Sequence, residues 1–161
     1  MAADRRGYGE RQTQLLCALV AGRDFPEGFE PDKAEDASRS LRRKRGRAVA
    51  RAWPALALAL GSRFDERFDA FARGAAAPAL GDALADGLAF ARTLDRSDLS
   101  DDARVELLFA RARLAHRAGV PRWRRSPFLG AIALHDPRRL LVVVRIPPGG
   151  TRSLVLRAGR V

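Results

Sequence analysis

Residues 39–71, RSLRRKRGRAVARAWPALALALGSRFDERFDAF, decide how this chain folds. A basic run ends at Trp53-Pro54, an apolar heptamer follows, Gly61 interrupts it, and Phe64, Phe68 and Phe71 recur at i, i+4 and i+7. A residue before proline is pushed out of the helical region, while proline itself suits a first helical turn. The spacing therefore predicts one helix from Asp32 to Trp53 and a second over Ala55 to Leu60, meeting at the Trp-Pro step. The second is almost wholly apolar and is expected to be buried on most sides. Ser62 is placed to cap the following helix, whose three phenylalanines form a core-facing stripe.

Outward from this centre, residues 10–21 (ERQTQLLCALVA) predict a first helix with Leu15, Leu16, Leu19 and Val20 on one side. Residues 23–31 read as a loop through Pro26, Gly28 and Pro31. Downstream, a small-residue linker at 74–81 leads to a fifth helix over Asp82 to Leu94. A sixth is capped by Ser100 and expected to run to about Ala118, with Gly119 and Pro121 as its stop. After Pro127 the pattern changes to FLGAIAL, LLVVVRI and TRSLVLR, three strands separated by HDPRR and PPGG. Leu140, Val142, Val144 and Ile146 face one way and Leu141, Val143 and Arg145 the other, so the middle run is the central strand. The expectation is an α+β protein. A bundle of about six helices, residues 1–120, carries a three-stranded antiparallel β unit, residues 121–161, packed on it.

Charge divides along the same line. Residues 1–106 hold 18 basic and 18 acidic side chains, whereas residues 107–161 hold twelve arginines against one acid, Asp136, so the whole formal charge of +11 lies in the last third. A concentrated field of this kind attracts acidic peptides or polyanions and speeds association. Two basic clusters stand out. Arg42, Arg43 and Arg45 belong to the run on the long helix, which reads either as a solvated face or as a contact surface. The second, Arg122, Trp123, Arg124 and Arg125, precedes the strands; Trp123 suits stacking on a base or docking of the strands. Arg138, Arg139, Arg145 and Arg152 continue it.

Groups that make or break bonds are scarce. His116 and His135 are the only histidines, Cys17 lies in an apolar run, and no set has zinc-ligand spacing. Neither a G-x-S-x-G elbow nor a phosphate-binding glycine loop is found. The reading is a protein that is not an enzyme by itself and takes no cofactor. No apolar run of membrane-spanning length occurs and the first residues do not read as a signal peptide, so no membrane partner is expected and a cytoplasmic location is.

Trp53-Pro54-Ala55-Leu56, Leu60-Gly61, Phe64 with Phe68, and Asp86-Gly87-Leu88-Ala89-Phe90 resemble the signature of an uncharacterised bacterial family labelled as carrying a DNA-binding domain. The resemblance spans about residues 10–118. Members are typically encoded beside multinuclear non-haem iron-dependent oxidases that modify ribosomally made peptides, and characterised relatives bind the oxidase and present the precursor peptide. The resemblance implies such an accessory role here, with an oxidase and a precursor peptide as partners. An exposed strand edge could take the peptide as an added strand. The alternative is binding of nucleic acid through the basic helix and the arginine-rich C-terminal unit.

Overall fold

A computed structural model describes residues 31–75, 82–117, 120–135, 139–147 and 150–157 of the chain. The elements in order are α1 (Pro31–Ala52), α2 (Pro54–Leu60), α3 (Phe64–Gly74), α4 (Ala83–Ala91), α5 (Asp101–Arg113), β1 (Leu114–Arg117), β2 (Val120–Trp123), β3 (Phe128–Leu134), β4 (Arg139–Arg145) and β5 (Thr151–Arg157). The class is α+β, but the expected six helices are corrected. Among the described residues there are four helices of nine residues or more and one of seven. The expected helix over 10–21 and Cys17 lie outside the described residues.

One helix was overestimated for a physical reason. The helix expected to reach Ala118 stops at Arg113, and the chain turns into an antiparallel ribbon pairing Leu114 with Trp123 and Arg117 with Val120. His116 and Arg122 thus belong to strands, not to a helix end and an irregular linker. Pro121 is tolerated because each strand of a two-stranded ribbon has a free edge on which no N–H is needed.

The Trp-Pro junction behaves as the residue chemistry requires. Trp53 donates its backbone N–H to Val49 and accepts from Ala57 through its carbonyl, so α1 and α2 share the residue between them. Proline opens α2, and Glu106 of α5 reaches its exposed N–H groups, 2.9 Å from Leu56 N and 3.4 Å from Ala55 N. A carboxylate there satisfies orphan donors and complements the helix dipole. Gly61 ends α2 with φ +53°, a conformation open to glycine without strain. Two expectations fail here. Leu58 is 81% exposed, so α2 buries only Leu56 and Leu60 firmly. Ser62 does not cap α3, because Gly61–Arg63 forms a 3-10 turn that runs directly into it.

The core sits where the phenylalanine stripe meets α4. Phe68 and Phe90 are 5.3 Å apart, Phe64 and Phe90 5.7 Å, both edge-on, with Val49, Trp53 and Leu56 beside them. Two glycines allow the close approach: a Cβ on Gly87 would lie 2.1 Å from Trp53 Nε1, and one on Gly46 would lie 3.1 Å from the Phe68 ring. The Trp53 indole donates to the Ala83 carbonyl at 3.1 Å.

Helix α5 serves two cores. Ala103, Leu107 and Ala110 pack into the helical core, while Leu108 and Ala112 form a second cluster with Leu141 and Val143 of β4. Both sides are used, so its sequence lacks a single clean stripe. Ser100 caps it as expected, accepting from Ala103 N. The sheet order is β3-β4-β5, antiparallel throughout, with β4 central as expected.

Candidate partner-docking surface

Along α1 the inward-facing residues recur every three to four positions, Ala34, Ser38, Arg42, Gly46 and Val49, and Trp53 at its end continues the series. Arginine therefore occupies part of the buried face. Arg42 donates to Asp69 at 2.7 Å and to Glu35 at 3.0 Å, and Arg73 holds the other oxygen of Asp69 at 2.7 Å. Arg45 makes a bidentate pair with Asp86 at 2.9 and 2.8 Å, donates to the Ala75 carbonyl and lies over the Phe68 ring. Asp86 is only 4% exposed. Arg42 and Arg45 thus engage their guanidiniums inside the chain, Arg45 with the buried Asp86 and Arg42 with the half-buried Asp69 and the exposed Glu35. Arg43 stays outside. With Lys44, Arg47 and Arg51 it is exposed and has no ion-pair partner among the described residues.

Charge and burial compete at these carboxylates. Burial pushes Asp69 up, but hydrogen bonds from Arg42 and Arg73 and their charges outweigh it and hold the carboxyl below its ordinary range. Burial likewise opposes the Arg42 charge, and its bonds to Asp69 and Glu35 carry its pKa above the ordinary value. Between α1 and α3 runs a groove of about 840 Å³ with Arg39, Arg43 and Arg47 on one wall and Asp65 and Glu66 on the other.

The C-terminal arginines also divide. Arg145 aims its guanidinium at the end of α5, 3.2 Å from the Ala112 carbonyl and 2.7 Å from that of Arg124. A cation at these unsatisfied carbonyls caps the helix and favours its dipole. Arg124 donates to the Arg111 carbonyl at 3.1 Å and covers the Phe128 ring, so it docks the strands onto the helix. Both guanidiniums therefore make structural contacts within the chain. Arg139 lies on the face of β4 turned towards α5, with its Nε buried and without a hydrogen-bond partner among the described residues. Arg138 is outside the described residues, and Arg122 is placed only by its pairing with Ala115. Arg125 and Arg152 are exposed without a partner among the described residues, and Trp123 is 63% exposed. Of the two readings of Trp123, the exposed ring leaves stacking open and gives docking to Arg124.

The outer face of the sheet extends the apolar side of the central strand expected from Leu140, Val142 and Val144 onto both neighbours. The register sets Leu129, Val144 and Arg152 in one row, Ala131, Val142 and Leu154 in the next, and Ala133, Leu140 and Leu156 in the third. Eight of these nine side chains are apolar, and Leu129 is 74% and Leu154 60% exposed. An antiparallel sheet with one covered face normally turns polar residues outward. The alternation in LLVVV carried the signal, since a strand apolar on both sides needs two covers. Strand β5 pairs with β4 alone among the described residues, leaving its other edge open.

A smaller constellation ties the far end of β3 to the start of α5. The His135 backbone N–H donates to Asp101 at 2.5 Å, and its Nδ1 lies 3.2 Å from both Asp101 and Arg104. The backbone bond from His135, with the neighbouring charges, holds the Asp101 carboxyl below its ordinary range against the pull of burial. Among the described residues no group of three or more His, Cys, Asp or Glu could hold a metal, and no helix is long and apolar enough to cross a membrane.

A family model described as SCO6045-like, C-terminal domain, matches residues 9–96. The match takes in the Trp53-Pro54 junction, the phenylalanine stripe and α4, and stops before α5 and the strands. No curated protein and no solved structure matches the chain. Residues 9–96 are more than half of the 161, and the chain belongs to the SCO6045-like C-terminal domain family.

Proposed function

We propose that this protein is a non-catalytic accessory protein. It binds a multinuclear non-haem iron-dependent oxidase and presents a ribosomally made precursor peptide to it. One observation carries the reading: the segment that holds the whole charge excess contains a small sheet with an apolar outer face, and among the described residues its β5 edge is open and Arg125 and Arg152 have no partner. An extended peptide added at β5 would gain main-chain hydrogen bonds, and arginine forks suit carboxylates. The resemblance of residues 41–73 to oxidase-associated proteins supports the same role.

Co-purification tests it. The full chain, a multinuclear non-haem iron-dependent oxidase and that oxidase's precursor peptide should be captured together. Reversing Arg125 and Arg152 to glutamate should cut peptide capture by roughly ten-fold, as expected for contacts near an interface centre. Unchanged capture of both partners by the reversed protein would remove the charge argument.

A second reading is nucleic-acid binding, favoured by Arg43, Lys44, Arg47 and Arg51, which stay exposed on α1 after Arg42 and Arg45 are used internally. Four phosphate contacts predict a log-log salt slope of about −3 to −4 on duplex DNA. Binding that vanishes near physiological salt would exclude it.

A further inference from the structure

The geometry points to the outer face of the β3-β4-β5 sheet as the seat of one amphipathic α-helix from a partner, apolar on its buried side and acidic on its flank. This goes beyond the accessory role, since it names the form of the docked segment and would survive loss of that reading.

Backbone hydrogen bonding selects a helix. The N–H and C=O groups of β4 are all engaged with β3 and β5, so the face offers side-chain burial and nothing else. An extended segment laid flat on it would leave its own N–H and C=O groups against leucine and valine, which costs free energy for every unpaired group. A helix satisfies those groups within itself. Size agrees. Three strands of seven residues cover about 14 by 23 Å, and a helix about 10 Å wide and ~15 residues long has that footprint. The opposite face already shows the arrangement, since the 13-residue α5 covers β3 and β4 there.

Relief and charge select which helix. Ala131 and Ala133 lower two of the three rows on the β3 side of the face, while Leu154 and Leu156 stand beside them along β5, so across those rows the surface steps up to a leucine ridge. Arg152 is the one charged side chain among the nine on this face, and it has no partner among the described residues. The surrounding last third holds twelve arginines and one acid. An acidic flank complements this field. A second copy of the chain would bring arginine onto arginine.

The test uses the full chain and a fluorescein-labelled synthetic peptide of ~15 residues, leucine at i, i+3, i+4, i+7 and i+11 with glutamate on the flanks. Two twins accompany it, one with lysine for glutamate and one with a central proline. The glutamate helix should bind, and either twin should bind ~10-fold more weakly or worse. Leu129→Asp and Leu154→Asp, both at exposed positions and checked by circular dichroism, should each lose about ten-fold or more. Arg152→Glu should weaken the glutamate helix and strengthen the lysine twin. Equal binding of the proline twin, no binding of the glutamate helix, or a sedimenting dimer that Leu154→Asp dissociates would each overturn the proposal. Oxidase and precursor capture by Leu154→Asp reports on the accessory role separately.

Discussion

Replacing Arg45 by methionine removes the guanidinium that Asp86 faces while keeping much of the aliphatic stem. Both side chains are well shielded, at 17% and 5% exposure, and the pair is bidentate. Removing one partner strands a buried carboxylate on α4, which costs about 3–5 kcal/mol. The donor to the Ala75 carbonyl and the contact over Phe68 go as well, so the upper half of that range is expected. For a chain of this size ~1 kcal/mol shifts Tm by roughly 2–4 °C, giving a drop near 10 °C or more. Arg43→Met, two residues away in the same basic run but exposed, should stay within about 0.5 kcal/mol. Thermal and urea unfolding followed by circular dichroism at 222 nm make the comparison. Pairing Arg45→Met with Asp86→Leu should recover much of the loss, because the stranded charge is gone. If Arg45→Met and Arg43→Met cost the same, the division of the run into anchors and surface is wrong.

Gly87→Ala should lower Tm by several degrees, since a Cβ 2.1 Å from the Trp53 indole forces overpacking that costs about 1–3 kcal/mol or more; an unchanged melt would mean α4 does not pack on that ring. Glu106→Gln removes the carboxylate charge from the start of α2 and should cost about 0.5–1.5 kcal/mol in urea unfolding, with Asp95→Asn, exposed and making no side-chain cap, as a control near zero. Asp69 and Asp101 titrate lower in the folded chain than in the unfolded one, so the unfolded state binds more protons in acid. Their contribution is complete above about pH 4 and disappears as pH falls through the folded values. Tm should therefore fall between neutral pH and acid, and Asp69→Asn with Asp101→Asn should flatten that slope; an identical slope would contradict the assignment.

Much of the helical part was legible because its signals are local. Trp53-Pro54 forces a junction, Gly61 a stop, Ser100 a cap, and the phenylalanine spacing a buried stripe, none needing knowledge of distant residues. Leu58 misled because apolar composition says nothing about whether a neighbour is present. The run from Leu114 to Trp123 misled because a proline such as Pro121 interrupts a helix and is also tolerated in a short edge strand. The fate of each arginine was illegible in principle. Arg42, Arg43 and Arg45 look alike in sequence, and only the arrival of Asp69 and Asp86 from α3 and α4 separates them. Arg145 is a similar case, identified as a helix cap only by where α5 ends. The outer sheet face was half legible: alternation showed β4 apolar on both sides, but the single cover provided by α5 emerges only from packing.

Hydrogen–deuterium exchange on the full chain, alone and with the proposed partners, a multinuclear non-haem iron-dependent oxidase and its precursor peptide, tests the central claim most directly. Slowed exchange across residues 128–134, 139–145 and 151–157, with α1 unchanged, is the predicted result. Protection confined to α1, or none on either element, would contradict it.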